Sequence, residues 1–179
     1  VFRIQADGTL GLIVENPSPG PGAFSSTFTS DETLVVTEAG TLSQPTASGI
    51  SSYKIQSNGT LTSVTQSLPT EGLLACWNVI TPSGKFVYAV NAGTSNISGL
   101  NIASNGSLTP IASTVLASDP PNSDNIDIAI SGDGKLLFNL NPGSGTIGLF
   151  EVFSDGTLSA QTPITIGPNS IAFSGIAAL

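Results

Sequence analysis

A four-residue turn recurs four times in this chain, as Asp7-Gly8-Thr9-Leu10, Asn58-Gly59-Thr60-Leu61, Asn105-Gly106-Ser107-Leu108 and Asp155-Gly156-Thr157-Leu158. The copies are spaced 51, 47 and 50 residues apart. Each follows a short alternating segment: Phe2–Gln5, Tyr53–Gln56, Leu100–Ala103 and Phe150–Phe153. Asn-Gly and Asp-Gly suit a hairpin because these residues tolerate positive φ, which matches the twist of the flanking strands. One such dipeptide says little, but four at one period restrict the chain to a repeat architecture.

A second turn keeps phase with the first: Thr29-Ser30-Asp31-Glu32-Thr33, Thr81-Pro82-Ser83-Gly84-Lys85 and Ser131-Gly132-Asp133-Gly134-Lys135. Each separates two short apolar segments, so every repeat holds four strands, A to D. Gly, Pro, Ser and Asn interrupt every longer stretch and no sustained 3.6-residue period exists, which leaves no room for helix. An all-β chain with four antiparallel strands every ~50 residues reads as β-propeller blades. A β-sandwich with incidental repetition is disfavoured, because two independent turns would have to stay in register by accident. The expected division is one partial propeller domain over 1–179. Residues 1–16 supply strands C and D, residues 22–66, 75–115 and 124–164 supply full blades, and 169–179 supply a closing strand A. That makes about 3.75 blades, fewer than the four to eight that close a ring. The chain is thus expected to be part of a longer, seven-bladed ring, with assembly from further copies as the alternative. Its start, Val1–Gln5, has neither an initiator Met nor a signal pattern and reads as entered in mid-strand.

Composition removes whole classes of chemistry. The 179 residues include no histidine, one cysteine and only four Lys and Arg against twelve Asp and Glu, for a net charge of −8. Imidazole acid–base work, Ser-His-Asp and Cys-His nucleophiles and histidine–zinc sites are therefore excluded for these residues. An internal disulfide needs a second cysteine. Nucleic-acid binding needs a cationic stripe that is absent, and no apolar run is long enough to span a bilayer. Ser and Thr make up about a quarter of the chain. A surface solubilised by hydroxyls rather than lysine is expected of a secreted or periplasmic protein.

The stretches Ala75–Gly93 and Ile97–Thr109 resemble blades of the lactonase-type seven-bladed propellers, the family of propeller 6-phosphogluconolactonases and 3-carboxymuconate-cyclising enzymes. The resemblance extends blade by blade over nearly the whole chain and matches the family's C-terminal half. The ending from Gly167 to Leu179 is similar to the family's closing segment. It implies the fold, and with it a lactone hydrolase as one functional expectation. The matching motifs are turn glycines and alternating strands, which identify scaffold rather than site. The family's basic and imidazole groups have no counterpart here: histidine is absent, Arg3 lies at the chain's edge, Lys85 and Lys135 occupy A–B hairpins, and Lys54 sits on a strand C next to the outer strand D. No catalytic residue carries over. The leading expectation is accordingly a non-catalytic binding or scaffold module. The alternative is a lactone hydrolase whose basic residues lie in other blades, and whether this chain is an enzyme stays open.

Site expectations follow from propeller geometry. The A–B and C–D hairpins share one face, and the irregular loops 17–22, 40–49, 67–75, 91–96, 116–124, 141–146 and 164–169 form the other, where binding is expected. Glu38, Asn91 and Asn141 end strand B in three successive blades. They either ring the channel mouth for a small-molecule or carbohydrate ligand or cap their own B–C turns. Trp77, in register with Ser25 and Asp127, either stacks on a ligand in the channel or fills the space between blades. Glu71 is a candidate acid–base partner for Asp124 or Asp127. Asp119, Asp124 and Asp127 are a candidate for Ca²⁺, with a solvated turn as their alternative reading, and no other cofactor is expected. Cys76 reads as a small buried apolar side chain. Asn58, Asn96 and Asn105 sit in N-x-Ser/Thr sequons, though the hairpins account for two of the three.

Overall fold

The computed structural model describes residues 1–41, 43–168 and 174–179. Three four-stranded antiparallel meanders follow one another. The first is β1 (Ala23–Phe28), β2 (Thr33–Glu38), β3 (Gly49–Ile55) and β4 (Leu61–Pro69). The second is β5 (Ala75–Ile80), β6 (Phe86–Asn91), β7 (Asn96–Ile102) and β8 (Leu108–Ser118). The third is β9 (Asp127–Ile130), β10 (Leu136–Asn141), β11 (Thr146–Val152) and β12 (Leu158–Ala160), with β13 (Ile164–Thr165) returning to pair with β11. One 3₁₀ turn, Pro45–Ala47, interrupts the first B–C loop. Strands β4 and β8 run on past the expected blade ends at 66 and 115.

The repeated turns form for local reasons. Asp7, Asn58 and Asp155 each place Oδ1 to accept the backbone N–H two residues on at 3.0 Å and the threonine hydroxyl at 2.7 Å. Asn105 does the same for the Ser107 N–H at 2.9 Å. Only a side-chain oxygen is used, so Asp and Asn interchange freely. The glycine that follows lies at φ 83, 87, 88 and 84° in the four copies, a left-handed conformation that a side chain would strain. In the A–B turns a hydroxyl closes the loop: Thr29, Thr81 and Ser131 accept the N–H of Thr33, Phe86 and Leu136.

The core lies between sheets. Val35 and Ile50 of the first sheet meet Val87, Ala89, Leu100 and Leu108 of the second. On the other side Tyr88, Val90, Ile97 and Ile111 meet Ile128, Leu137 and Phe150 of the third. A fully buried Leu or Ile contributes about 1.5–3 kcal/mol. Each four-stranded sheet is thus stabilised by its neighbours, as stacked repeats require. Inner strands β1, β5 and β9 pack side by side.

One expectation is corrected at the start of the chain, and the other, at its end, falls partly outside the described residues. Residues 1–16 form a loose hairpin with a single Ile4–Leu10 bridge rather than two strands. It is held by Val14 N–H to Val1 O at 2.8 Å, Gly11 N–H to Arg3 O at 2.8 Å and the Val1 ammonium to Val14 O at 2.9 Å. Of the closing strand A expected at 169–179, residues 169–173 lie outside the described residues. Residues 174–179 form no strand but pass beside β9, where the Ile176 N–H donates to Asp127 Oδ2 at 2.8 Å.

Candidate functional site

The strand order puts the D-to-A connections and the B–C loops on one face. Under each connection lies a polar anchor built on the last residue of strand B. In the first blade, Glu38 is fully buried, and its Oε1 accepts Ser18 Oγ–H at 2.7 Å, Gly20 N–H at 3.1 Å and Ser51 Oγ–H at 2.8 Å. Glycine is required at position 20, because a Cβ there would sit 2.3 Å from Glu38 Oε2. In the second, Asn91 Nδ2 donates to Asn96 Oδ1 and Ser98 Oγ, both at 2.7 Å, and Ser98 Oγ–H donates to the Thr70 carbonyl at 2.5 Å.

The third anchor changes the chemistry. Ser51 and Ser98, which face Val36 and Ala89 across β2–β3 and β6–β7, are replaced by Gly148, which faces Asn139. Asn139 fills the vacated volume and reaches Asp119. That carboxylate accepts three amide donors: Asn125 Nδ2 at 2.9 Å and Asn139 Nδ2 at 2.8 Å on Oδ2, and Asn141 Nδ2 at 2.8 Å on Oδ1. Asn139 also donates to Asn141 Oδ1 at 2.8 Å. Burial raises the Asp119 carboxyl above its ordinary range, opposed by the hydrogen bonds from Asn139, Asn141 and Asn125. The Oδ1 atoms of Asn125 and Asn139 are buried without a partner, so a flipped amide has an acceptor ready for a protonated Asp119.

Glu38, Asn91 and Asn141 therefore form no ring at a channel mouth. All three are 0 % exposed and hold loops to the sheets beneath them. The proposed Ca²⁺ ligands are also kept apart: Asp119 is bound by amides, Asp127 accepts the Ile128 and Ile176 N–H groups at 2.8 Å, and Asp124 is exposed at φ 52°. Among the described residues no group of three His, Cys, Asp or Glu is placed to hold a metal ion.

Trp77 is half-buried on β5. Its ring meets Phe24 of β1 edge to face, with centroids 4.8 Å apart at 71°, and it packs on the core between the second and third sheets. Cys76 is half-buried beside it, and burial pushes its thiol pKa up. Glu71, exposed at φ 60°, lines a depression of about 260 Å³ with Thr46, Ser48, Gly72, Leu73 and Thr94. That depression includes none of the aspartates.

Cations, unlike acids, are confined to one face: Asp7, Asp31, Asp133 and Asp155 share the hairpin side with them. All four cations lie on the hairpin side. Arg3 donates to the Ser57 carbonyl at 2.7 Å, Lys54 pairs with Asp31 at 3.3 Å, Lys135 pairs with Asp133 at 3.4 Å, and Lys85 sits in an A–B turn. The loop side carries Glu71, Asp119, Asp124 and Asp127 and no Lys or Arg.

This succession of blades matches the family model described as lactonase, 7-bladed beta-propeller, over residues 33–170. The chain belongs to that family. Solved structures agree on the fold. A periplasmic gluconolactonase of Pseudomonas aeruginosa superposes with a TM-score of 0.76 at 18 % identity, over 97 % of this chain and 50 % of its own. A protein from Lactobacillus plantarum gives 0.72 at 23 % identity, over 92 % and 50 %. A putative 6-phosphogluconolactonase of Bacteroides fragilis gives 0.70 at 24 %, over 93 % and 51 %. The chain spans about half the length of each of these propellers. No curated protein matches it. No helix among the described residues is long and apolar enough to cross a membrane.

Proposed function

We propose that this half of a lactonase-family propeller is a binding and scaffold module that presents an acidic, cation-free loop face to an uncharged polyhydroxylated ligand. The observation that carries this is the confinement of Arg3, Lys54, Lys85 and Lys135 to the opposite face. A phosphorylated sugar lactone needs Arg or Lys on its phosphate, and this face would repel it. Glu71 and Asp124 are the exposed acceptors available to ligand hydroxyls; Trp77 and Asp127 are half-buried. Glu38, Asn91, Asn141 and Asp119 act indirectly, by fixing the loops. Blades outside this chain complete the ring, and an extracellular or periplasmic location accords with the hydroxyl-rich composition and with a periplasmic relative.

The test compares D-glucono-1,5-lactone with its 6-phosphate, measuring heat of binding and hydrolysis above the spontaneous rate. The neutral lactone binds, the phosphate ester does not, and neither is turned over. A second reading, a lactone hydrolase with its basic residues in other blades, is favoured by the match to a gluconolactonase along almost the whole chain. Turnover that falls in Glu71→Gln or Asp124→Asn would establish it and remove the first.

A further inference from the structure

Two departures from the repeat meet in one groove on the hairpin side. In the A–B turns the first residue's hydroxyl meets the side chain of the third: Thr29 Oγ1–H donates to Asp31, Ser131 Oγ–H donates to Asp133 Oδ1 at 2.7 Å, and Thr81 Oγ1 lies 3.1 Å from Ser83 Oγ. Each of the two acids holds a lysine, Asp31 pairing with Lys54 at 3.3 Å and Asp133 with Lys135 at 3.4 Å. The middle turn keeps the lysine, Lys85, but has Ser83 where the acid belongs. Among the described residues Lys85 consequently makes no ion pair.

The second departure is in the C–D turns. Gln5, Gln56, Ala103 and Phe153 open the four copies, their N–H groups donating to the carbonyls of Thr9, Thr60, Ser107 and Thr157. Three of the four are polar or small, whereas Phe153 is a phenyl ring left 44 % exposed. Lys85 and Phe153 line one depression of about 400 Å³, formed by the second and third blades. The half-buried Phe86 and Val152, and Pro82 where the other turns have Ser30 and Gly132, add to its apolar lining. Its charged lining is two lysines, Lys85 and Lys135, against one aspartate, Asp133. The two blades are closely packed there: a Cβ on Gly134 would lie 3.2 Å from Pro82 Cδ, and one on Gly156 would lie 2.7 Å from the Phe86 ring.

We infer that this groove binds a small aromatic carboxylate, with its carboxylate on the Lys85 ammonium and its ring against Phe153 and the apolar lining. A cation that has lost the acid it faces elsewhere in the repeat, in a lining of net positive charge, selects an anion. Exposed aromatic and proline surface beside it selects a flat apolar body, because ring pairing and apolar burial stabilise only when such a body covers that surface. The volume lies within the range of small-molecule sites, about 300–1,000 Å³. A sugar acid or sugar phosphate has the charge without the body, so it is not the ligand. Every lining residue belongs to a complete blade, and the groove opens on the face opposite the loops, so it stands or falls separately from the ligand site proposed there.

Calorimetric titration of the protein with trans-cinnamate tests this beside two controls. Cinnamamide keeps the body without the charge, and D-gluconate keeps the charge without the body. Cinnamate binds saturably, and both controls bind more weakly. Ser83→Asp restores the acid of the other A–B turns, and Phe153→Gln restores the residue of the first two C–D turns, so each installs a side chain that its turn already accepts elsewhere. Lys85→Gln, at an exposed position, removes the charge alone. The two charge variants weaken cinnamate binding by about two- to fivefold, and Phe153→Gln weakens it by about three- to tenfold. An unchanged far-ultraviolet circular dichroism spectrum certifies the fold of each variant. The absence of saturable heat with cinnamate would overturn the assignment. So would either control binding as tightly as cinnamate, or wild-type affinity in a folded Lys85→Gln or Phe153→Gln variant.

Discussion

The third loop anchor exchanges volume between strands, and that exchange can be measured. Gly148 stands where Ser51 and Ser98 stand in the other blades, and Asn139 stands where they have Val36 and Ala89. A Cβ at 148 would fall 2.0 Å from Asn139 Oδ1 and 2.8 Å from Asp119 Oδ1, both impossible without movement. Gly148→Ser must therefore expel the Asn139 amide and break its bonds to Asp119 and Asn141, each 2.8 Å long. Losing a hydrogen bond to a carboxylate costs about 1.5–3 kcal/mol and a neutral one about 1 kcal/mol. Overpacking adds about 1–3 kcal/mol, so the single variant is expected to lose about 3.5–7 kcal/mol. Asn139→Ala alone loses the same two bonds without the clash, about 2.5–4 kcal/mol. Together the substitutions rebuild the second blade's arrangement, in which Ser98 Oγ accepts the Asn91 amide at 2.7 Å. The double variant is then no less stable than Asn139→Ala, a favourable coupling of about 3.5 kcal/mol or more. Urea unfolding followed by circular dichroism, with an unchanged m-value, measures all four corners of the cycle. Two single effects that add to within about 0.5 kcal/mol would refute the exchange.

Other outcomes follow from the same contacts. Tyr88→Phe removes one hydroxyl from a fully buried ring and leaves the Gly156 carbonyl bare. Stability should fall by about 1–2 kcal/mol, with faster amide exchange in 153–158, and an unchanged melt would show that the bond contributes nothing. Asp119 binds more protons folded than unfolded, because burial raises its carboxyl above 3.8. Its contribution to stability is full below the unfolded value and is lost as pH rises through the folded one. The wild type should therefore gain on Asp119→Asn as the buffer is acidified across that window, and a pH-independent difference would contradict the burial argument. Burial also raises the Cys76 thiol, so iodoacetamide at neutral pH should label it far more slowly in the native chain than in urea; equal rates would mean an open thiol.

How much was legible in the residues depended on how far apart the interacting groups lie. The four Asx-Gly turns and the hydroxyl-closed A–B turns are complete within five residues, so strand number, meander order and blade period could be read without coordinates. The charge asymmetry came only when the strands were laid antiparallel, which carried Arg3, Lys54, Lys85 and Lys135 to one side. Glu38, Asn91 and Asn141 were recognisable as equivalent positions, yet the two readings of them were a ligand ring at the channel mouth and a cap of their own B–C turns. Their actual partners include Ser18 Oγ, the Asp119 carboxylate and, through Ser98, the Thr70 carbonyl, some 20 to 28 residues away. One signal of the third anchor was present in the sequence: Gly148 interrupts the serine seen at 51 and 98.

The amino-acid sequence by itself determined the hairpins, their phase and hence the propeller, because a side-chain oxygen meeting an N–H two residues away needs no tertiary partner. It also determined the absence of imidazole chemistry, a matter of inventory. Tertiary structure alone decided which polar side chains face solvent. Burial at the end of strand B depends on where the D-to-A connection settles, and that path is set by contacts between neighbouring sheets rather than by local preference. Tyr88 shows the same division. Its place on a strand is written in the alternation around it, whereas the Gly156 carbonyl that it satisfies, 68 residues on, is found only when two blades pack.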